Sequence, residues 1–218
     1  MMFRDRTDAG RQLAAKLAHL KSGDALLVLA LPRGGVPVAY EVARALEATL
    51  DIFMVRKLGA PEQPELALGA LASGGVMVLN EKTIAESGVS AEELESIAQR
   101  ERAELERRER AYRGEVAAAE AAGKVCLLVD DGLATGSSMR AAARALKARR
   151  PARIVIATPV APRSTIESLR VEVDEVVCLF GASHFYAVGQ FYERFDQTSD
   201  EEVRDLLARS RGHLERGI

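Results

Sequence analysis

The sequence predicts an α/β fold, with a mainly parallel central sheet and helices on both faces. Short apolar runs rich in Leu, Val and Ile alternate with amphipathic stretches, the strand–helix order that builds parallel sheets. The first of these runs is apolar throughout, as a strand covered on both faces must be. Two runs break at glycine-bearing turns that open helices, at Pro32-Arg33-Gly34-Gly35 and between Gly132 and Gly136.

The first strand is placed at 25–31 (ALLVLAL), and a helix at 37–48 follows its turn. A second strand at 50–56 (LDIFMVR) leads into a loop carrying Gly59, Pro61 and Pro64. Residues 66–72 and 76–80 flank Ser73-Gly74-Gly75, a hairpin signal. The stretch 90–121 reads as one long helix. Ser90 and Glu93 fit a capping box, and Glu104/Arg108, Glu106/Arg110 and Glu109/Arg113 are favourable i,i+4 pairs. Its apolar stripe (Leu94, Ile97, Ala98, Leu105, Tyr112, Val116) is thin, so the helix is expected on the surface or against a partner. Strand 125–129, helix 138–149, strand 153–159, a short helix at 164–169 and strand 175–180 complete the alternation. An aromatic cluster follows (Phe185, Tyr186, Phe191, Tyr192, Phe195), and a helix capped by Ser199 with Glu202 ends the pattern.

The chain's 218 residues, 48% hydrophobic and 28% charged, suit one globular domain able to bury a sizeable core. A net charge of -2 argues against a general nucleic-acid binder, which needs a basic surplus on one face. No apolar run approaches a membrane span, and the N-terminus lacks the apolar centre of a signal peptide. Cys126 and Cys178 each sit inside an apolar run, where buried strand thiols live, and the three His show no metal-ligand spacing. The expectation is a soluble, cytoplasmic protein that binds neither nucleic acid nor membrane.

The segment after strand 125–129 carries the chemistry. The strand delivers Asp130 and Asp131 to its C-terminal end, the edge where open α/β sheets bind ligands. A loop then opens a helix through Thr135, Gly136, Ser137 and Ser138. Free amides at a helix start, with hydroxyls and no bulky side chain, form a phosphate cradle. Carboxylates beside an anion cradle suit a phosphorylated sugar. No Gly-x-x-x-x-Gly-Lys-Ser/Thr and no Gly-x-Gly-x-x-Gly after a strand competes with this motif.

The run VCLLVDDGLATGSS resembles the phosphoribosyl-pyrophosphate (PRPP) signature of type I phosphoribosyltransferases, with four apolar residues, two acids and a Thr-Gly-x-Ser/Thr loop. The resemblance implies that fold, with Asp130 and Asp131 on the ribose hydroxyls. It places Ala134, Thr135, Gly136, Ser137 and Ser138 around the 5′-phosphate. Leu31-Pro32-Arg33-Gly34-Gly35 stands where the family has its pyrophosphate loop, so Arg33, Gly34 and Gly35 would meet the diphosphate; an ordinary strand-to-helix turn is the alternative. Val55-Arg56-Lys57-x-Gly59 is similar to the Val-Arg-Lys stretch of adenine-specific members, which implies a diphosphate role for Arg56 and Lys57. The tail resembles the hood of purine-type members and would bring Phe185, Val188, Phe191 and Tyr192 to the base, although such a cluster equally reads as packing. Two features depart from the family. Ala134 stands where hypoxanthine-type members carry an Asp, and the long charged helix lies outside the common core. Glu65 is a weak candidate acid or base, with a plain loop carboxylate as its alternative.

The resemblance implies a single domain over 1–218. Its core would span about 25–180, with a hood from 1–24 and 181–218 and a helical insertion at about 81–122. It further implies Mg²⁺-dependent phosphoribosyl transfer to a nitrogenous base in nucleotide salvage, releasing pyrophosphate, by a homo-oligomer, in the first instance a dimer. The Mg²⁺ would be held through the substrate, with Asp130 and Asp131 as candidate contacts. The alternative keeps the fold without the reaction, as a PRPP-sensing regulatory or accessory protein.

Overall fold

The computed structural model describes residues 2–21, 25–61, 63 and 66–214. Asp5, held extended, accepts a hydrogen bond from the Asp8 amide and starts helix α1 (Arg6–Lys16), which the sequence pattern does not reveal. Its buried side is made of Ala9, Gly10, Leu13 and Ala14, so one leucine and three small residues mark the inner face. A Cβ on Gly10 would lie 2.8 Å from the Val38 carbonyl oxygen, so glycine lets α1 press against helix α2 (Gly35–Leu46).

Five parallel strands form the central sheet in the order β2-β1-β6-β7-β8. They are β1 (Leu26–Ala30), β2 (Thr49–Ile52), β6 (Val125–Val129), β7 (Arg153–Pro162) and β8 (Glu175–Ala182). Alternate residues enter opposite cores. Val28, Ala30, Leu127, Val129, Val155 and Ala157 face Leu13, Val38 and Val42 of α1 and α2. Leu27, Leu29, Cys126, Leu128, Ile154 and Ile156 face Met139, Ala142 and Leu146 of α5 (Ser137–Lys147), and Ile166 and Leu169 of α6 (Arg163–Arg170). Both faces are covered, which is why the strands read as continuous apolar runs. Burial pushes the Cys126 thiol up to about 11, and both cysteines are free.

The expected strand 50–56 divides in two. β2 ends at Ile52, and β3 (Val55–Gly59) leaves the sheet to pair antiparallel with β4 (Ala67–Ala72), which pairs with β5 (Val76–Leu79). The change of sheet occurs at buried Phe53 and Met54, whose amides are satisfied by the Ala30 carbonyl (2.8 Å) and Ser73 Oγ (2.8 Å). Side-chain and backbone acceptors from elsewhere thus replace the glycine or proline that would have marked a break.

The expected helix 90–121 also shortens. Asn80 caps a separate short helix, α3 (Glu81–Ser87), and α4 (Ala91–Arg113) begins with the Ser90/Glu93 capping box. It stops at Gly114, whose φ is +65°. Arg113 turns inward there: its Nε donates to Asp51 Oδ1 at 2.7 Å and its Nη2 to the Ile52 carbonyl at 2.7 Å. The Glu104–Arg108 and Glu109–Arg113 pairs form at 2.6 and 3.1 Å. The thin stripe of α4 packs on β3, β4 and the last helix, α7 (Asp200–Leu214), so it covers the chain's own second sheet.

Candidate active site

The strand order fixes where a ligand can sit. From β1 the chain winds outward through α2 to β2, and from β6 it winds the other way through α5 to β7. The connections therefore diverge between β1 and β6, and their C-terminal ends leave a crevice there. The 31–35 and 130–138 loops both start at this point.

The two loops touch. The Leu31 amide donates to the Val129 carbonyl at 2.9 Å, and the Pro32–Arg33 peptide is cis. A Cβ on Gly35 would lie 2.7 Å from the Val129 oxygen, and one on Gly34 would overlap Oδ2 of Asp131. Glycine is required at both positions because backbone lies directly on backbone and carboxylate. Arg33 Nη1 is 3.5 Å from Oδ1 of Asp200, which also accepts from Tyr112 Oη at 2.7 Å. Burial, then the Asp200 contact, raises the Tyr112 phenol above its ordinary pKa.

Asp130 and Asp131 meet different surroundings although adjacent in sequence. Asp130 Oδ1 accepts from the Asp131 amide at 2.9 Å. Burial, reinforced by the charge of Asp131, pushes the Asp130 carboxyl well above the ordinary carboxylate range. Asp131 Oδ2 instead receives the Nε of Arg6 at 2.7 Å, and each of these side chains is only 12% exposed. The backbone oxygen of Asp131 accepts from Tyr192 Oη at 2.5 Å. Arg6 is a residue that sequence reasoning missed. It lies 125 positions from Asp131, in a helix with no strong pattern, and no local signal marks it.

Residues 134–138 form the loop that opens α5. Gly136 takes φ +72° as the N-cap of α5 and supplies no side-chain cap; the Ser137 amide makes a long bond to Thr135 Oγ1 at 3.4 Å, and the helix start offers its amides to a further acceptor. A Cβ on Gly136 would lie 2.8 Å from Thr165 Cγ2. Thr165 Oγ1 in turn donates to the Ala134 carbonyl at 2.8 Å and fixes the loop. Ala134, Thr135, Ser137 and Ser138 are exposed, with Thr135 Oγ1 and Ser137 Oγ sharing a hydrogen bond at 2.9 Å. A cleft of about 690 Å³ between α5 and the second sheet runs past Ser137, Arg140 and Arg144.

The remaining expectations fare differently. Arg56 donates from Nε and Nη2 to Glu101 of α4 at 2.9 and 2.6 Å, a contact that an anion would have to share; Lys57 is exposed beside it on β3. Phe191 and Tyr192 are buried in the hood's own cluster. Phe191 packs on Phe180 and Phe185, with ring centroids 5.6 and 5.5 Å away, and Tyr192 on Phe3 and Phe195 at 5.4 and 4.9 Å. Phe185 and Val188 are half-buried, and Val188 lies so close to Gly132 that any Cβ there would overlap it. Glu65 lies outside the described residues.

A doubly wound parallel sheet, with a glycine loop, an acid pair and an uncapped helix start at one switch point, defines a type I phosphoribosyltransferase fold. A sequence profile of the phosphoribosyl transferase domain matches residues 4–195, and the chain belongs to that family. It is 45% identical over 209 residues to provisionally named phosphoribosyl transferases from two strains of Mycobacterium tuberculosis. That similarity covers 96% of this chain and 47% of each relative, so the chain spans about half the length of these curated relatives. A crystal structure of the Thermus thermophilus protein TT1426 superposes with a TM-score of 0.86 at 44% identity, covering 96% of this chain and 99% of that one.

Proposed function

We propose that the protein transfers a phosphoribosyl group from PRPP to a nitrogen of a small base and releases pyrophosphate. The observation that carries this reading is the contact of Gly34 with Asp131 beside the uncapped start of α5. It brings the 31–35 loop, the acid pair and the start of α5 to one crevice. In this reading Asp130 and Asp131 take the ribose hydroxyls, and residues 134–138 take the 5′-phosphate through amides and hydroxyls. Arg33 and the amides of Gly34 and Gly35 collect the diphosphate, with Lys57 and Arg56 on β3 as further cations.

The accepting nitrogen would form its bond to the anomeric carbon as the bond from that carbon to the pyrophosphate oxygen breaks. The protein's part is to hold the reactants in line and to stabilise charge on the departing diphosphate. Among the described residues no group of three or more His, Cys, Asp or Glu side chains is arranged to hold a metal ion. This donor set fits Mg²⁺ carried on the substrate's own oxygens, with Asp130 and Asp131 within the same crevice. When bound, the ion would neutralise part of the diphosphate charge. The reading extends to nucleotide salvage by a cytoplasmic homodimer.

The test is pyrophosphate release from PRPP with Mg²⁺ across a panel of purine and pyrimidine bases, with Asp130→Asn as control. Release with one class of base is expected, falling about 100-fold or more in the variant. PRPP binding by calorimetry with no release for any base would instead identify a PRPP-sensing protein. Absence of both would remove the reading.

A further inference from the structure

Arg6 reaches the acid pair from a distant part of the sequence, and its guanidinium is held by two hydrogen bonds and an aromatic ring. Nε donates to Asp131 Oδ2 at 2.7 Å and Nη1 to the Asp196 carbonyl at 2.6 Å, while Cζ lies over the Phe195 ring, 3.9 Å from its centroid. The helix that carries it is anchored in turn. The Phe3 amide donates to Phe191 at 2.8 Å, the Glu193 amide to Phe3 at 2.8 Å and the Arg194 amide to Arg4 at 3.0 Å. A guanidinium with this many partners is an oriented group rather than a mobile surface cation.

We infer that Arg6 is a positioning residue for sugar binding: by pinning Oδ2 of Asp131 it fixes that carboxylate as a hydrogen-bond acceptor for a vicinal diol. The inference rests on the phosphoribosyl-transfer reading. A carboxylate offers about four lone-pair sites, and the Arg6 bond uses one of them. Gly34 leaves room for the carboxylate in this orientation, since a Cβ there would overlap the same Oδ2. Without Arg6, an enclosed carboxylate beside a second one would turn toward water, because a largely buried charge without a partner is costly. The acceptor geometry offered to the sugar would go with it. Lysine can supply charge at this position but neither the planar stack on Phe195 nor the fork that reaches Asp131 and Asp196 together.

The test separates the two halves of the substrate. Calorimetry on the full chain would measure ribose 5-phosphate, which has the diol and no diphosphate, and Mg²⁺-pyrophosphate, which has no sugar. Arg6→Met is expected to weaken ribose 5-phosphate about tenfold, close to 1.4 kcal/mol, and to leave pyrophosphate within about twofold. Arg6→Lys should recover part of the loss. In an Asp131→Asn background Arg6→Met should add little, because both act on one contact. Unchanged or tighter ribose 5-phosphate binding in Arg6→Met would overturn the inference. Equal loss of both ligands would also overturn it, because it would mark Arg6 as structural. A wild-type chain that binds neither ligand would remove the phosphoribosyl-transfer reading itself, and this inference with it.

Discussion

Asp130 and Asp131 illustrate how neighbouring residues of one type acquire different properties. Burial and the charge of Asp131 make the folded chain hold the Asp130 proton more tightly than the unfolded chain does. The stability this group contributes is therefore complete below the ordinary carboxylate range and is lost as pH rises toward its folded value. Asp130→Asn keeps an oxygen for the Asp131 amide and removes that loss. The variant should unfold at a higher temperature than wild type at pH 7, with the gap closing toward about pH 3. Asp131→Asn should do the opposite. It leaves the largely buried guanidinium of Arg6 facing a neutral amide, at a cost of about 2 kcal/mol. Thermal unfolding of both variants across pH distinguishes these outcomes. A residue whose removal stabilises the fold while abolishing turnover would carry the signature of a functional site.

At the scale of elements, α4 is joined to the sheet by a buried ionic contact. Asp51 of β2 accepts from Arg113 Nε and from the Ala119 amide, at 2.7 and 2.9 Å, so one carboxylate ties the helix end and the following segment to the sheet edge. Arg113→Leu leaves that carboxylate without its cation and should cost about 3 kcal/mol or more in urea unfolding. Ser90→Ala, which removes only the cap at the other end, should cost about 1 kcal/mol. The capping box and the Glu104–Arg108 pair could be read from local spacing because they act within one or two turns. The end of the helix could not be so read. Residues 115–121 are mostly alanine and glutamate, good helix formers that would continue it, and the stop is set by Gly114 together with the pull of Asp51, 62 positions away. Strand 50–56 was obscured for the same reason, since Phe53 and Met54 are apolar in either sheet and only Ala30 and Ser73 decide where the chain turns.

At the scale of the molecule, β1, β6 and β7 lie inside the sheet with helices on both faces, whereas β5 is an edge of the smaller sheet. Amides of those three strands should exchange slowest in native-state hydrogen exchange, with those of β3–β5 opening at lower free energy. Equal protection in the two sheets would contradict this division. Among the described residues no helix is long and apolar enough to cross a membrane. The apolar runs, the glycine turns and the acid pair before Thr135 were legible in the sequence because strand burial, tight turns and helix starts impose requirements within a few residues. They were enough to predict the α/β class and the loops that define the crevice. Tertiary structure alone decided that Gly34 lies against Asp131, that Arg6 closes on the same carboxylate, and that Phe191 and Tyr192 pack the hood rather than face outward. Each depends on segments distant in sequence meeting at one edge of the sheet, and such contacts are set by strand order and layer packing, which no local pattern encodes.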